Sequence, residues 1–379
     1  MNNKKVGLIT YYGNNYGGCL QAYAIQQVLN QIGYNPYIIQ VSIPLSSSKY
    51  NKFEAIFRVL RNPIAFLKRK KYIKEDSRQE PLRSAAFDKF RQEFLTFDKS
   101  FTLKEDSLDG AGNYTSFVCG SDQIWNPNLY GVHPIWTLKF APAGSRKIAY
   151  APSLGISTIP AQYMQDFKDN LKDFAYISCR EKEGAESLSN ILGKPVDVVL
   201  DPTLLLSPEQ WHKFSRPVEV KKPYIFCYLF GSYEYIAEVK LRVKKFFNLD
   251  VVCLPYNLRE LKDDDLKLYD ITPNQFVWLI ENARFVVTDS FHATVFSIKM
   301  STPFVALKRT SDSDKKNMNS RLYTLLHTVG LEDRMVGEAM VQDIENIVAG
   351  GLDFTLANEK LSVYMERDKN KLEKALTYE

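Results

Sequence analysis

The chain has 379 residues, 45% hydrophobic and 25% charged, with no low-complexity tract. That length exceeds one ordinary core and predicts two domains, and the composition excludes a disordered, collagen-like or disulfide-stapled protein. With 49 basic and 44 acidic residues the net charge is +5, too small an excess to be a nucleic-acid footprint.

The first apolar run, at 6–12, is ended by Gly13, Asn14 and Asn15 before any cleavage-like site, so no secretory signal is expected. Between Lys5 and Lys49 there is no charged residue. The amides of Asn14, Asn15, Gln21, Gln26, Gln27, Asn30, Gln31, Asn35 and Gln40 exclude a membrane span there. Short β-rich runs predict strands at 6–11, 36–40, 116–119, 147–151, 174–178 and 196–200, with helices at 17–32, 161–171 and 182–192.

Residues 49–78 break this rhythm. Phe53, Ile56, Phe57, Leu60, Ile64 and Leu67 fall at helical spacing, and Lys68, Arg69, Lys70, Lys71 and Lys74 follow. Such a basic amphipathic insert suits either an anionic membrane surface or a helix packed on its own protein. The proline-marked stretch 201–223 reads as a linker. Beyond it come strands at 224–229, 251–254, 285–288 and 304–307, with helices at 235–246, 273–282 and 293–300. A charged helix from Asn358, with Leu361, Met365, Leu372 and Leu376 near helical spacing, is expected to pack back on the first domain.

Alternation of this kind predicts an α/β protein with two Rossmann-like domains, their mostly parallel sheets facing a cleft. The expected division is 1–205, 206–350 and a C-terminal helix at 351–379. The five cysteines (Cys19, Cys119, Cys179, Cys227, Cys253) are scattered, and all but one lie in or beside strand-like runs. Buried reduced thiols and a cytoplasmic location follow, and no metal is expected, since neither a cysteine pair nor an acidic or histidine cluster calls for one.

Ligands of doubly wound sheets bind beyond the carboxyl ends of the strands. There the sequence places Gly13 to Gly18, Gly120-Ser121-Asp122, Ser178-Cys179-Arg180-Glu181, Asp201-Pro202-Thr203 and Thr288-Asp289-Ser290-Phe291-His292. The glycine segment, with Asn14, Tyr16, Gly17 and Gly18, could offer backbone N–H groups to an anion or a sugar, or simply let a helix pack closely. Ser121 and Asn126 join it as candidate acceptor-loop residues. Arg180 offers a planar fork to a carboxylate or phosphate, or pairs with Glu183 or Glu186. His292 is placed for proton transfer or for a helix start, and Asp122 for catalysis or a turn. His133, His212 and His327 read as surface or packing residues.

Together these segments resemble the polysaccharide pyruvyl transferase family. The resemblance rests on Y-G-N-N-Y-G-G-C-L-Q-A-Y-A-I-Q at 12–26, G-S-D-Q-I-W-N-P at 120–127, S-C-R-E at 178–181, L-D-P-T-L-L-L at 200–206 and T-D-S-F-H-A-T-V-F-S at 288–297, with a weaker S-R-L-Y-T-L-L at 320–326 and G-L-E-D-R at 330–334. It implies a fold like the glycosyltransferase B class, and transfer of an enolpyruvyl-derived group from phosphoenolpyruvate to a sugar as a ketal, without a redox cofactor. It also implies that Arg180 and His292 meet the donor, with His292 moving the proton and Asp122 facing the acceptor hydroxyl. Many relatives carry arginine where this chain has Ser290, so Lys308, Arg309 or Arg321 is expected to supply the missing cation. The resemblance implies phosphoenolpyruvate and a sugar or lipid-linked oligosaccharide as partners, the basic insert suggests an anionic membrane surface at the inner face, and the small charge excess predicts no nucleic acid. A nucleotide-sugar glycosyltransferase and a non-catalytic glycan-binding relative are the competing readings.

Overall fold

Runs of valine, isoleucine and phenylalanine too short for helices form the central strands, and burial on both faces explains their continuous apolarity. β4 (Ser116–Cys119), β8 (Ile225–Tyr228), β11 (Phe285–Thr288) and β12 (Phe304–Leu307) are buried at every position. The computed structural model describes residues 4–41, 63–103, 114, 116–231, 233–257, 259–310 and 319–377.

One seven-stranded sheet has the order β3-β2-β1-β4-β5-β6-β7, adding β1 (Lys5–Ile9), β2 (Asn35–Val41), β3 (Phe97–Leu103), β5 (Arg146–Ala149), β6 (Tyr176–Cys179) and β7 (Asp197–Val198). The second has six strands in the order β10-β9-β8-β11-β12-β13, with β9 (Val251–Cys253), β10 (Leu266–Lys267) and β13 (Met335–Val336). Both are parallel throughout. Strand order reverses between β1 and β4 in one sheet and between β8 and β11 in the other, which sets two ligand-binding crevices.

The connecting helices are α1 (Tyr16–Gln31), α2 (Pro63–Phe94), α3 (Pro127–Tyr130), α4 (Ala161–Leu171), α5 (Lys182–Leu192), α6 (Pro208–Phe214), α7 (Glu234–Phe247), α8 (Pro273–Glu281), α9 (Phe291–Lys299), α10 (Ser320–Val329), α11 (Ile344–Ala349) and α12 (Thr355–Leu376). Three cores result. One lies outside each sheet, and a third runs continuously between them, joining Val6, Leu8 and Leu20 to Phe226, Phe276 and Val286.

Burial of α1 in that central core accounts for the charge-free run. Its exposed surface is small, and a charged side chain there would have to leave water. Its amides are satisfied instead. Gln21 Nε2 donates to Tyr11 O at 2.7 Å, and Gln26 Nε2 donates to Thr96 O at 2.8 Å. Tyr16 stacks on Phe276 of the second domain with ring centroids 4.7 Å apart.

The linker is more ordered than its prolines imply. Ser207 and Gln210 form a capping box for α6, whose Trp211 is buried and donates its indole N–H to Thr203 O. α12 starts at Thr355 and does pack back on the first domain: Leu361, Leu372 and Leu376 are buried, and Leu200 N donates to Asp368 Oδ2 at 2.8 Å. β3, β10 and β13 have no expected counterpart, because β3 carries Asp98 and Lys99 at a sheet edge and the others are two residues long.

Of the basic insert 49–78, residues 49–62 lie outside the described residues, as do the side chains of 63–76. Further along α2, Phe87 and Phe90 are buried against the central core. No described helix is long and apolar enough to cross a membrane. All five cysteines are buried and free, and burial pushes the Cys19 thiol up to about 12.

Candidate functional site

Each crevice is shaped by a tight turn after a strand. After β4, a Cβ on Gly120 (φ +122°) would run into Tyr150 O, so only glycine fits that turn. Two residues on, Asp122 adopts φ 62°, a left-handed conformation unusual for a side-chain-bearing residue. It is held there because its carbonyl accepts from Ser153 N at 2.8 Å, which leaves the carboxylate aimed between the sheets. After β11, Asp289 accepts from Phe230 N at 2.9 Å and Gly231 N at 2.6 Å, tying together the turns that follow β8 and β11. Ser290 then caps α9 by accepting from Ala293 N at 3.4 Å, which places His292 in the first turn.

The two crevices meet at Asp201, which follows β7 and is almost wholly buried. Its Oδ2 lies 2.6 Å from Arg180 Nη1, 3.1 Å from Ser121 Oγ and 3.6 Å from His292 Nε2. Its Oδ1 accepts from Thr203 N and Oγ1. Burial alone would raise its pKa, but His292, Arg180 and Thr203 overcome that and hold the carboxyl well below the usual carboxylate range. Burial likewise opposes the charge on Arg180, yet Asp201 and Asp122 hold it above its ordinary value. Arg180 Nη2 stands 3.8 Å from Asp122 Oδ1, and its guanidinium lies 4.3 Å from the Phe291 ring.

A cavity of about 220 Å³ opens in front of this group. Tyr11, Asn15, Asp122, Gln123 and Tyr130 line it from the first domain, and Phe230, Ser290, His292, Arg309 and Arg321 from the second. Arg321 is 8% exposed, and its Nε has no hydrogen-bond partner among the described residues. Burial, together with Arg180 and Arg309, pushes its pKa down to about 10, so it remains a cation at neutral pH. Arg309 donates from Nη2 to Asp289 O at 2.9 Å, and its Nε has no hydrogen-bond partner among the described residues. Burial, then Tyr130 and Asp122, raise the Tyr11 phenol, which remains a hydrogen-bond donor.

A family model for polysaccharide pyruvyl transferase matches residues 15–311. The chain belongs to that family. Among solved structures it is similar to UDP-GlcNAc 2-epimerase from Neisseria meningitidis bound to UDP-GlcNAc, at 10% identity over 98% of this chain and 99% of that one, with a TM-score of 0.50. It is also similar to UGT89C1 of Arabidopsis thaliana complexed with quercetin, at 9% identity over 98% and 99% of the two chains, with a TM-score of 0.50. These likenesses establish the two-domain glycosyltransferase B fold. Among curated proteins no significant match was found.

In this pyruvyl transferase family member the residues expected at the site divide into two groups. His292, Asp122, Ser290, Arg309 and Arg321 share the front cavity. Arg180 stands behind it, paired with Asp201 rather than with Glu183 or Glu186. Gly17 packs against His292, where any Cβ would strike the imidazole, and a Cβ on Gly18 would lie 3.5 Å from Asp122.

Four of the residues expected in the acceptor loop have other partners in the fold. Tyr16 is consumed by the interdomain aromatic cluster, and Asn14 is bound to Arg91 and Ser84 of α2. Asn126 caps α3, and Ser121 is buried against Asp201. Asn15, which caps α1, lines the cavity instead. Lys308 sits over the Tyr323 ring and is not among the cavity residues. His212 pairs with Glu281 and His327 with Glu332 on the surface.

From the sequence, Asp201 and Glu181 are placed at the strand ends without either being given a role, and Tyr11 is not singled out. The signal for Asp201 was its place after a strand with proline next in line, where a carboxylate caps a turn. Glu181 is wholly buried, and its Oε1 accepts from Ser153 Oγ, Leu154 N and Gly155 N, fixing the loop that holds Asp122.

Proposed function

We propose that this chain transfers a pyruvyl group from phosphoenolpyruvate to a sugar of a cell-surface or exopolysaccharide precursor, forming a pyruvate ketal. The observation that carries this reading is the convergence of His292, Asp122, Arg309 and Arg321 on one cavity where the two strand-order reversals face each other. Chemistry requires a proton on the donor's methylene carbon, which builds positive character at C2. A sugar hydroxyl then attacks C2 and gives up its proton. Phosphate leaves with the C–O bonding pair, and a second hydroxyl closes the ketal and gives its proton to the departing phosphate.

His292 supplies the first proton, and the ionised Asp201 compensates the imidazolium charge. Asp122 takes the proton of the acceptor hydroxyl. Arg309 and Arg321 bind the donor's phosphate and carboxylate and replace the arginine that relatives carry at Ser290. Arg180 acts through the two carboxylates and is a positioning residue. The aromatic rings of Tyr11, Tyr130 and Phe230 supply apolar walls against which a sugar ring can stack.

The deciding experiment measures phosphate release from phosphoenolpyruvate across soluble and lipid-linked sugars, with nucleotide sugars as a parallel arm. Sugar-dependent release supports the reading. Release of nucleotide diphosphate in its place would assign the chain to glycosyl transfer.

A further inference from the structure

Behind Phe291 lies a second cavity, of about 150 Å³. Arg321, Thr324 and Thr328 reach it from α10, and their spacing of three and four residues puts them on one helix face. Tyr364 and Arg367, three apart on α12, form the opposite wall. Arg180 and Asp201 close it toward the catalytic group, and Phe291 and Arg321 border both cavities and so divide them.

The charge balance in this cavity is uneven. Three guanidinium groups face one carboxylate, and that carboxylate is already engaged by Arg180, Ser121 and Thr203. Arg367 is paired with Asp368 at 2.6 Å. Arg180 is paired with Asp201 and Asp122, which leaves Arg321 as the lining cation without a carboxylate partner among the described residues, and its Nε makes no hydrogen bond there. Buried N–H donors left unmatched on cations are costly, and a small oxyanion satisfies several at once. Thr324 Oγ1 accepts from Lys182 N at 3.2 Å and keeps its own proton to donate.

We infer that the cavity behind Phe291 is a second binding site for a small oxyanion, the class to which the leaving phosphate of the proposed reaction belongs. Because Arg321 borders both cavities, an anion behind Phe291 draws its charge away from the front cavity and weakens donor binding there. The feedback role rests on the proposed donor chemistry, whereas the site itself does not.

Binding of inorganic phosphate to the full chain, read by thermal shift and by titration calorimetry without donor or acceptor, tests the site. Thr328→Leu fills the cavity from a helix position that tolerates leucine, and Thr324→Val removes one hydroxyl at nearly constant volume. Both are expected to weaken one phosphate equivalent at least tenfold, while Arg309→Gln, which alters the front cavity, leaves that equivalent in place even if a front-cavity phosphate is lost. Retention of that equivalent at unaltered affinity in both threonine variants, or its loss in Arg309→Gln, would overturn the inference. Acetate in place of phosphate separates a general oxyanion site from a phosphate-selective one. Acetate binding that survives Thr328→Leu also counts against the site.

Donor turnover is measured separately on the same variants. Phosphate binding lost in Thr328→Leu, in a chain that does not consume phosphoenolpyruvate, would keep the site and remove the proposed function. Turnover in a chain whose phosphate binds only through Arg309 would do the reverse. With both correct, Thr328→Leu turns over normally and escapes inhibition by added phosphate.

Discussion

Asp201 Oδ2 stands 3.6 Å from Nε2 of His292, joining the turn after the last strand of one sheet to the first helical turn beyond the other. The same oxygen binds Arg180 at 2.6 Å, so one buried carboxylate holds both His292 and Arg180.

Asp201→Asn is therefore expected to abolish transfer and to destabilise the fold. Loss of one partner of a buried ion pair costs about 3–5 kcal/mol, because the remaining charge is stranded. The native carboxyl is held below its unfolded value, so its contribution is complete above the unfolded pKa of about 3.9 and is lost as pH falls toward the folded value. Denaturant unfolding of wild type and variant should show a constant stability gap between about pH 5 and 8 that narrows only in stronger acid.

His292→Ala should lower kcat by roughly a hundredfold to ten-thousandfold, with donor KM little changed, because a proton-transfer group acts in the transition state. Arg180→Lys keeps a charge but cannot span Asp201 and Asp122 together. Steady-state kinetics should show kcat falling more than donor KM rises, since Arg180 lies behind the front cavity. A larger KM effect would make it a direct donor ligand.

Gly17→Ala tests the contact between α1 and His292. Alanine normally improves a helix interior by about 0.5–1 kcal/mol over glycine. Here the added methyl meets Nδ1 of His292, so activity should drop sharply while the far-ultraviolet circular dichroism spectrum stays native.

Arg321→Met removes a buried cation that lacks a carboxylate partner among the described residues. The expected result is a higher melting temperature with a higher donor KM, the exchange of stability for binding seen where a site stores unpaired charge. Ser290→Arg is the complementary arm. It should tighten phosphoenolpyruvate binding, while loss of the Ser290 cap lowers stability by about 1 kcal/mol.

Lys299 ends α9 in a buried position, donating to Leu204 O at 2.9 Å, and no carboxylate is within ion-pair distance among the described residues. Burial first, and Lys369 second, push its pKa down to about 7, with Glu209 opposing. The unfolded chain then binds more protons between about pH 7 and 10.4, so wild-type stability rises through that window. Lys299→Met should be more stable than wild type by a constant margin below about pH 7, and the margin should shrink as pH rises. Chemical denaturation at several pH values measures it.

Much of this was legible before any tertiary structure. Parallel sheets and crossover helices follow from short apolar runs alternating with helical spacing, because a strand buried on both faces and a helix buried on one leave different periodicities. Sites beyond strand ends follow from the same topology, which is why Asp122 and His292 could be singled out. What the residues could not express was pairing across distance. Arg180 and Asp201 are 21 residues apart, and Gly17 and His292 are brought together only when two sheets dock. The uncharged run after Lys5 is a burial record whose cause, a helix wedged between two domains, appears only in the fold. Whether a polar residue faces a cavity, is consumed by packing as Tyr16 is, or is bound to another helix as Asn14 is, depends on which neighbours the chain's return brings within hydrogen-bond or van der Waals range. Local pattern carries no information about that.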